Sequence, residues 1–374
     1  MSKHGIAIIG AGMVVDQRHL PGLAKTGLGE ARSVFDPHKD RASELAAKFD
    51  IPVNAATLED AIDRDEIDAV LIASPNAYHR EAAECAFTAG KHVFCEQPIA
   101  TNLEDARAIC DAAERAGRLL HLGFHHRFNA EHLCVKRLLD EGVLGDVRAF
   151  HSVVSEPIEV VPHGTDNYRF DLKAGGGLTL VDVGSHRIDQ TRALLGEVAE
   201  VHARMDSVLE SHSLDDSAVL SLKMHSGAVC TLAFHRFSRA YVGSASMLGT
   251  KATVAYSSNI VNPANAAPVA VYLDESPEKA LPADMLKWSR PQKWWGEMPA
   301  GWVELWPPRI DSFEAQWREF SNAIENNHPA TVSGEDGYRG LEIVLAAYQS
   351  VNAGRPVKLP LDPHTVVPAP DLDD

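Results

Sequence analysis

The sequence predicts an α/β protein in two parts, an N-terminal doubly wound parallel sheet followed by a C-terminal α+β domain with a mostly antiparallel sheet. Three observations carry this. Short apolar runs alternate with helical stretches over the first third of the chain, a glycine-rich turn follows the first run, and beyond Phe128 strand-favouring segments dominate. Strands and helices alternating at such intervals build right-handed βαβ units and a parallel sheet.

The first strand is Ile6 to Ile9, an apolar run that ends in glycine, and a helical stretch follows to about Lys25. Arg32 to Phe35 reads as the second strand, ending at Asp36, and Asp40 to Phe49 places Ala42, Leu45, Ala46 and Phe49 on one helical face. Ala69 to Ala73, His92 to Cys95 and Leu119 to Leu122 continue the sheet, with helices at Arg80 to Thr88 and Leu103 to Arg115 between them. A short helix, Glu131 to Asp140, opens the second part. Strands are expected at Val147 to Ser155, Val198 to Leu209, Ala218 to Met224, Val229 to Phe237 and Thr253 to Tyr256, with turns at Gly227 and Gly249. Two helices close the chain, about 313–326 and about 340–353, and residues 258–310 read as a long structured loop. The expected boundary divides 1–126 from 127–374, the closing helix being a candidate to pack back on the first part.

The chain carries 45% hydrophobic and 23% charged residues, as ordinary globular proteins do. No run approaches the roughly 18 apolar residues of a membrane helix, and no signal peptide is apparent, so a cytoplasmic location is expected. A formal net charge of −17 argues against nucleic acid and anionic membranes as partners. Cys85, Cys95, Cys110, Cys134 and Cys230 are odd in number and lack Cys-x-x-Cys spacing, which fits reduced thiols rather than a disulfide framework or zinc site.

Gly10 and Gly12 sit directly after the first strand, where a tight turn lets backbone N–H groups and a helix N-terminus approach a pyrophosphate; Met13 begins that helix. Val15 occupies the place of the third glycine of the usual fingerprint, so the motif alone is weak. Asp36, 24 residues after Gly12, would accept hydrogen bonds from ribose hydroxyls and repel a 2′-phosphate, which favours NAD(H) over its phosphorylated form. Its plainer reading is an N-cap for the next helix, and Lys39 and Arg41 lie close by.

Ala73-Ser74-Pro75-Asn76-Ala77-Tyr78-His79 and Gly90-Lys91-His92-Val93-Phe94-Cys95-Glu96-Gln97-Pro98 resemble motifs of the glucose–fructose oxidoreductase, inositol dehydrogenase and rhizopine-catabolism family, Gfo/Idh/MocA. Residues Gly175 to Asp189, Gly249-Thr250-Lys251-Ala252 and the closing helices agree with that family's second domain. The resemblance implies a Rossmann domain, an open second sheet that mediates homo-oligomerisation as a homodimer or homotetramer, and NAD(P)-dependent redox chemistry on a sugar, cyclitol or related hydroxy compound. It places Ser74, Pro75, Asn76, His79 and Glu96 beside the cofactor and Arg169 at the substrate pocket. It also implies lysine where this chain has Gln97, a group that exchanges hydrogen bonds but no proton near neutral pH.

If the segment after Gly177 is helical, Asp182, His186 and Asp189 share one face. Oxidation of an alcohol needs a base for the hydroxyl proton, and a histidine suits that role. His186 is the candidate acid/base, Asp182 its orienting or substrate-binding partner, and Gln97 a holder of the hydroxyl. The plainer reading of an arbitrary histidine is a satisfied, partly buried side chain. His125 and Arg127 follow the last strand of the first sheet, where ligands of open α/β sheets sit. Adjacent histidines His125 and His126 would diverge along extended chain, so no metal site is expected. Trp288, Trp294, Trp295, Trp302 and Trp306, with Arg290 and Lys293, suit either sugar stacking or a subunit interface.

An NAD-dependent oxidoreductase acting on a carbohydrate-like small molecule is the leading expectation. Glycoside cleavage through transient oxidation, and a non-catalytic sugar- or dinucleotide-responsive binding protein, are the alternatives.

Overall fold

The computed structural model describes residues 3–161, 167–257, 267–291 and 301–372. Six strands form the first sheet: β1 (His4–Ile9), β2 (Gly29–Phe35), β3 (Val53–Asn54), β4 (Ala69–Ile72), β5 (His92–Cys95) and β6 (Leu120–Leu122). They run parallel in the order β3-β2-β1-β4-β5-β6. Helices cover both faces, so β4 and β6 are buried along their whole length; β4 reads as a continuous apolar run rather than an alternating one, while β6 carries His121 at its centre. The strand order reverses between β1 and β4, and that crevice is where open α/β sheets bind ligands.

The second sheet contains β7 (Val147–Pro157), β8 (Val198–Asp206), β9 (Ser217–Met224), β10 (Val229–His235), β11 (Phe237–Gly249), β12 (Ala252–Ser257), β13 (Val269–Leu273), β14 (Ser289–Pro291), β15 (Gly301–Leu305) and β16 (Val357–Lys358). Their order is β14-β15-β13-β12-β11-β7-β10-β9-β8-β16, antiparallel except for β7 beside β10. Alternation is clean on β9, where Ala218, Leu220, Leu222 and Met224 are buried and the residues between them face outward. Directly opposite pairs carry the outward face across the sheet: Val219 meets Ala233, which meets Val153, while Val229 meets Ala149, which meets Leu248. Val153, Val219, Val229 and Leu248 are all exposed on it.

Two expectations are corrected here. Residues 258–310 are not one structured loop, because β13, β14 and β15 lie within the described part and extend the sheet. The last helix begins at Gly334 rather than near residue 340, with Ser333 and Asp336 closing a capping box. Gly334 and Gly337 read as helix breakers, yet a side chain at either would collide with Leu120 (2.5 Å) or Leu122 (2.9 Å). Glycine lets this helix lie directly against β6. Helix Gly334–Ala353 thereby packs between β6 and β8 and is buried along most of its length. All five cysteines are free, and no helix among the described residues is long and apolar enough to cross a membrane.

A buried ionic network joins the parts. Arg127, in the 3₁₀ turn His125–Phe128 that follows β6, donates from Nε and Nη2 to both carboxylate oxygens of Asp189 (2.7 and 2.6 Å) and from Nη2 to Asp336 (2.8 Å). Asp189 is wholly buried on the helix Ser185–Leu195. Burial, aided by the neighbouring Asp336 carboxylate, drives its carboxyl up to about 6 against the pull of Arg127. Breaking a buried pair from one side leaves an uncompensated charge at a cost of about 3–5 kcal/mol. Arg127→Ala is therefore expected to lower stability by about that amount in urea unfolding followed by circular dichroism, whereas Arg137→Ala, which removes exposed ion pairs, should change it by less than about 1 kcal/mol.

Candidate active site

The site is assembled at the carboxyl ends of β1, β4, β5 and β6. Gly10 leaves β1 at φ +99°, and a Cβ there would lie 2.6 Å from the carbonyl oxygen of Ala73, the residue that follows β4. Gly12 faces open space. Asp36 accepts the N–H of Ala11 through Oδ2 and that of His38 through Oδ1, both at 2.8 Å, so one carboxylate braces the glycine turn and the start of the next helix together. Met13 is half exposed at the mouth of the turn.

The loop after β4 reaches toward the second part. Asn76 is buried and donates its amide to the carbonyl oxygen of Gly175 (2.7 Å), in the glycine triplet. His79 lies in the core of the first part. It is fully buried between the Ser74 carbonyl (2.9 Å) and the Cys95 thiol (3.4 Å), and burial holds its pKa down. It is a core histidine that fixes the Ser74-Pro75 turn. Glu96 follows β5 and is likewise engaged: His19 lies 2.6 Å from Oε1, and the Gln97 N–H donates to Oε2 at 3.2 Å. Its carboxylate also fills the space beside Gly123.

Gln97 lies between the two parts and is joined to Pro98 by a cis peptide bond. Its Oε1 accepts the Ser185 hydroxyl, and its Nε2 stands 3.2 Å from His186 Nε2. With the carbonyl end occupied by Ser185, the amide N–H₂ is the end that donates to His186. The imidazole is thereby held with its Nε2 lone pair toward Gln97, while its Nδ1 is buried without a hydrogen-bond partner.

The expected helical face of Asp182, His186 and Asp189 is not what forms. Leu180–Gly184 is a π-helical turn, and the α-helix starts only at Ser185. Single π turns recur at functional sites because they re-aim side chains. Asp182 turns to two guanidiniums instead of the imidazole: Arg169 Nε at 3.0 Å, and Arg236 through Nη2. Burial would raise the Asp182 carboxyl, but Arg169 and Arg236 together hold it well below the usual carboxylate range. Arg236 also pairs with Glu156 (2.8 Å). Asp189 is withdrawn into the ionic network with Arg127. Arg127 therefore does not reach the pocket, because both carboxylates of that network occupy its fork.

The turn itself is held by a residue that belongs to no recognisable motif. Asp215 is buried and accepts the N–H groups of Leu178 (3.1 Å) and Leu180 (2.7 Å), while its carbonyl accepts from Thr179 (3.2 Å). Arg236, Glu156, Ser185 and His19 were equally unforeseen. Each lies far along the chain from its partner or in a stretch with no motif, apart from Ser185, which adjoins the candidate histidine.

His125 and His126 are on a 3₁₀ turn rather than extended chain, and this reverses the expected divergence. The His126 ring stacks on that of His186 at 4.3 Å and 22°, and the His125 ring meets His186 edge-on at 4.9 Å. Burial drives His125 and His126 well below the ordinary histidine pKa. His186 is lowered by burial too, with Asp182 and Glu96 opposing.

Of the tryptophan-rich segment, Trp294, Trp295 and Lys293 lie outside the described residues. Trp302 pairs with Tyr272 and Trp306 with Arg290 at the outer edge of the second sheet, and Trp288 packs on its core.

Residues 4–124 match the family described as an oxidoreductase family with an NAD-binding Rossmann fold, and residues 136–359 match its C-terminal alpha/beta domain. The chain is 30% identical over 200 residues to the 1,5-anhydro-D-fructose reductase of Ensifer adhaerens, and 36% over 199 residues to the inositol 2-dehydrogenase of Streptomyces avermitilis. These matches cover 53% and 52% of this chain and 57% and 53% of the relatives, so the chain spans about half the length of the curated relatives it matches. A levoglucosan dehydrogenase solved with NADH and levoglucosan shares the fold at a TM-score of 0.80 and 22% identity, over 96% of this chain and 100% of that one. With a parallel six-stranded sheet, an open mostly antiparallel sheet and both domain matches in that order, the chain belongs to the Gfo/Idh/MocA oxidoreductase family, and its first part is that family's NAD-binding Rossmann fold.

Proposed function

We propose that this protein is an NAD-dependent oxidoreductase that interconverts a hydroxyl and a keto group on a sugar, cyclitol or sugar derivative, with His186 as the acid/base. One observation carries the reading: Gln97, two residues after β5, and His186, from the second domain, are held 3.2 Å apart at the carboxyl edge of the first sheet. The reductase and dehydrogenases among the relatives support a carbohydrate-like substrate.

The glycine turn fits NAD. Gly10 has no room for a Cβ, Gly12 opens onto space that a pyrophosphate would fill, and Asp36 closes the end of β2. Bound there, NAD supplies the hydride acceptor. On binding, the substrate hydroxyl takes the place of the Gln97 amide at His186 Nε2, so that the Gln97 N–H donates to the hydroxyl oxygen and His186 takes its proton. Asp182 and Arg169 hold further substrate hydroxyls, their charges fixed against each other. His125 lines the same pocket edge-on to His186. In the direction of reduction, His186 returns the proton to the alkoxide oxygen.

The outward face of the second sheet supports a homodimer or homotetramer, because Val153, Val219, Val229 and Leu248 form an apolar surface with no cover among the described residues. Five free cysteines fit a reducing, cytoplasmic setting.

Fluorescence titration is expected to show tighter binding of NADH than of NADPH, since Asp36 would repel the extra phosphate; equal or tighter NADPH binding overturns the assignment. Replacing His186 with alanine should lower turnover about tenfold or more while leaving NADH affinity intact, and a smaller loss removes it from the role of base. Alcohol oxidation requires neutral His186. Because burial lowers its pKa from 6.5, the acid limb of kcat/KM for oxidation should fall below that value and vanish in His186→Ala. Val219→Glu combined with Val229→Glu should reduce the mass measured by sedimentation without loss of the folded circular dichroism spectrum.

A further inference from the structure

Three imidazoles converge in this pocket. The ligand-capable nitrogens of His125, His126 and His186 lie within 4.8 Å of one another. Two come from the turn after β6 and the third from the helix Ser185–Leu195, so only the joining of the two domains creates the cluster.

We propose that His125, His126 and His186 form a binding site for one divalent transition-metal ion of the zinc type, with an open coordination position facing the substrate pocket. Three histidines with a fourth, exchangeable position are the donor set of catalytic zinc sites, and neutral imidazole is a preferred ligand of such ions. Ligands around a tetrahedral ion at about 2.0–2.1 Å stand roughly 3.3 Å apart, so to share one ion the three nitrogens must close in and the His126 and His186 rings must turn out of their stack.

The surroundings agree. His125 Nδ1 lies 3.2 Å from the Ser312 hydroxyl, an outer contact that orients the ring and leaves Nε2 for the ion. The backbone carrying His126 is pinned by Gln190, whose amide donates to the His126 carbonyl at 3.0 Å. His186 would ligate through Nε2, the nitrogen that now accepts from the Gln97 amide, so the ion takes the place of that N–H; Gln97 is neutral, and no ammonium stands against the ion there.

Metal binding uses the His186 lone pair, so a metal-loaded pocket and proton acceptance by His186 exclude one another. This consequence rests on the role proposed for His186 above; the site does not.

The untagged full chain, freed of metal by chelation, would be titrated with zinc and with cobalt. Equilibrium dialysis with elemental analysis should find one tightly held zinc per chain, and cobalt should give the intense visible absorption of a four-coordinate nitrogen site. Each single His→Ala variant at 125, 126 and 186 should lose stoichiometric binding. Gln97→Lys, which leaves all three ligands in place and adds a cation beside them, should weaken it. The site is overturned if the wild-type chain retains no zinc, or if the triple alanine variant, shown to be folded by circular dichroism, binds as the wild type does. NADH formation measured on the same samples should fall as zinc occupancy rises, and turnover unchanged at full occupancy overturns the exclusion. Absence of turnover in every sample, metal-free included, counts against the dehydrogenase reading and leaves the binding result to decide the site.

Discussion

Arg127 fixes the relation between the two sheets. Its guanidinium is clamped by Asp189 on the helix that carries His186 and by Asp336 at the start of the last helix, deep enough that water does not compete for either bond. A point charge would not serve equally, because the planar fork meets both oxygens of Asp189 at once and still reaches a second carboxylate. The turn that presents His125 and His126, the helix that presents His186 and the glycine-lined helix against β6 all have an end in this network. A ring separation of 4.3 Å between His126 and His186 follows from it.

The electrostatics of the pocket divide into two zones. Around Asp182, Arg169, Arg236 and Glu156 the charges are paired and fixed, which gives a polar wall for hydroxyl recognition. Around His125, His126 and His186 burial lowers the pKa of all three rings. Gln97 stands at the boundary, bonded to Ser185 and His186 rather than carrying charge of its own. The π turn at Leu180–Gly184 separates the zones, since it sends Asp182 to the arginines while the helix behind it starts afresh at Ser185 with His186.

Much of the fold was legible because a parallel sheet buried on both faces leaves continuous apolar runs, as in Ile6–Ile9 of β1 and the whole of β4. Alternation marked β9 and β10 for the opposite reason, one wet face and one dry. The long strand β11 was not read, because much of its first half is exposed and polar and its pairing with β7 and β12 makes it a strand. The closing helix was shortened by six residues because Gly334, Gly337 and Gly340 are locally poor helix formers. Their value lies in how near they let β6 come.

The sequence by itself determined the glycine turn, Asp36, Gln97 and the histidine of the second domain, since each sits in a short motif whose chemistry is local. Tertiary structure decided what those groups do with one another. Asp182 was assigned to His186 by spacing along a helix, but arginines from two distant segments claimed it, because a buried carboxylate goes to the strongest cation within reach. Arg127 left the pocket for the same reason. His125 and His126, which would diverge on extended chain, converge because the turn after β6 is helical and pinned by an ion pair that no stretch of sequence contains whole.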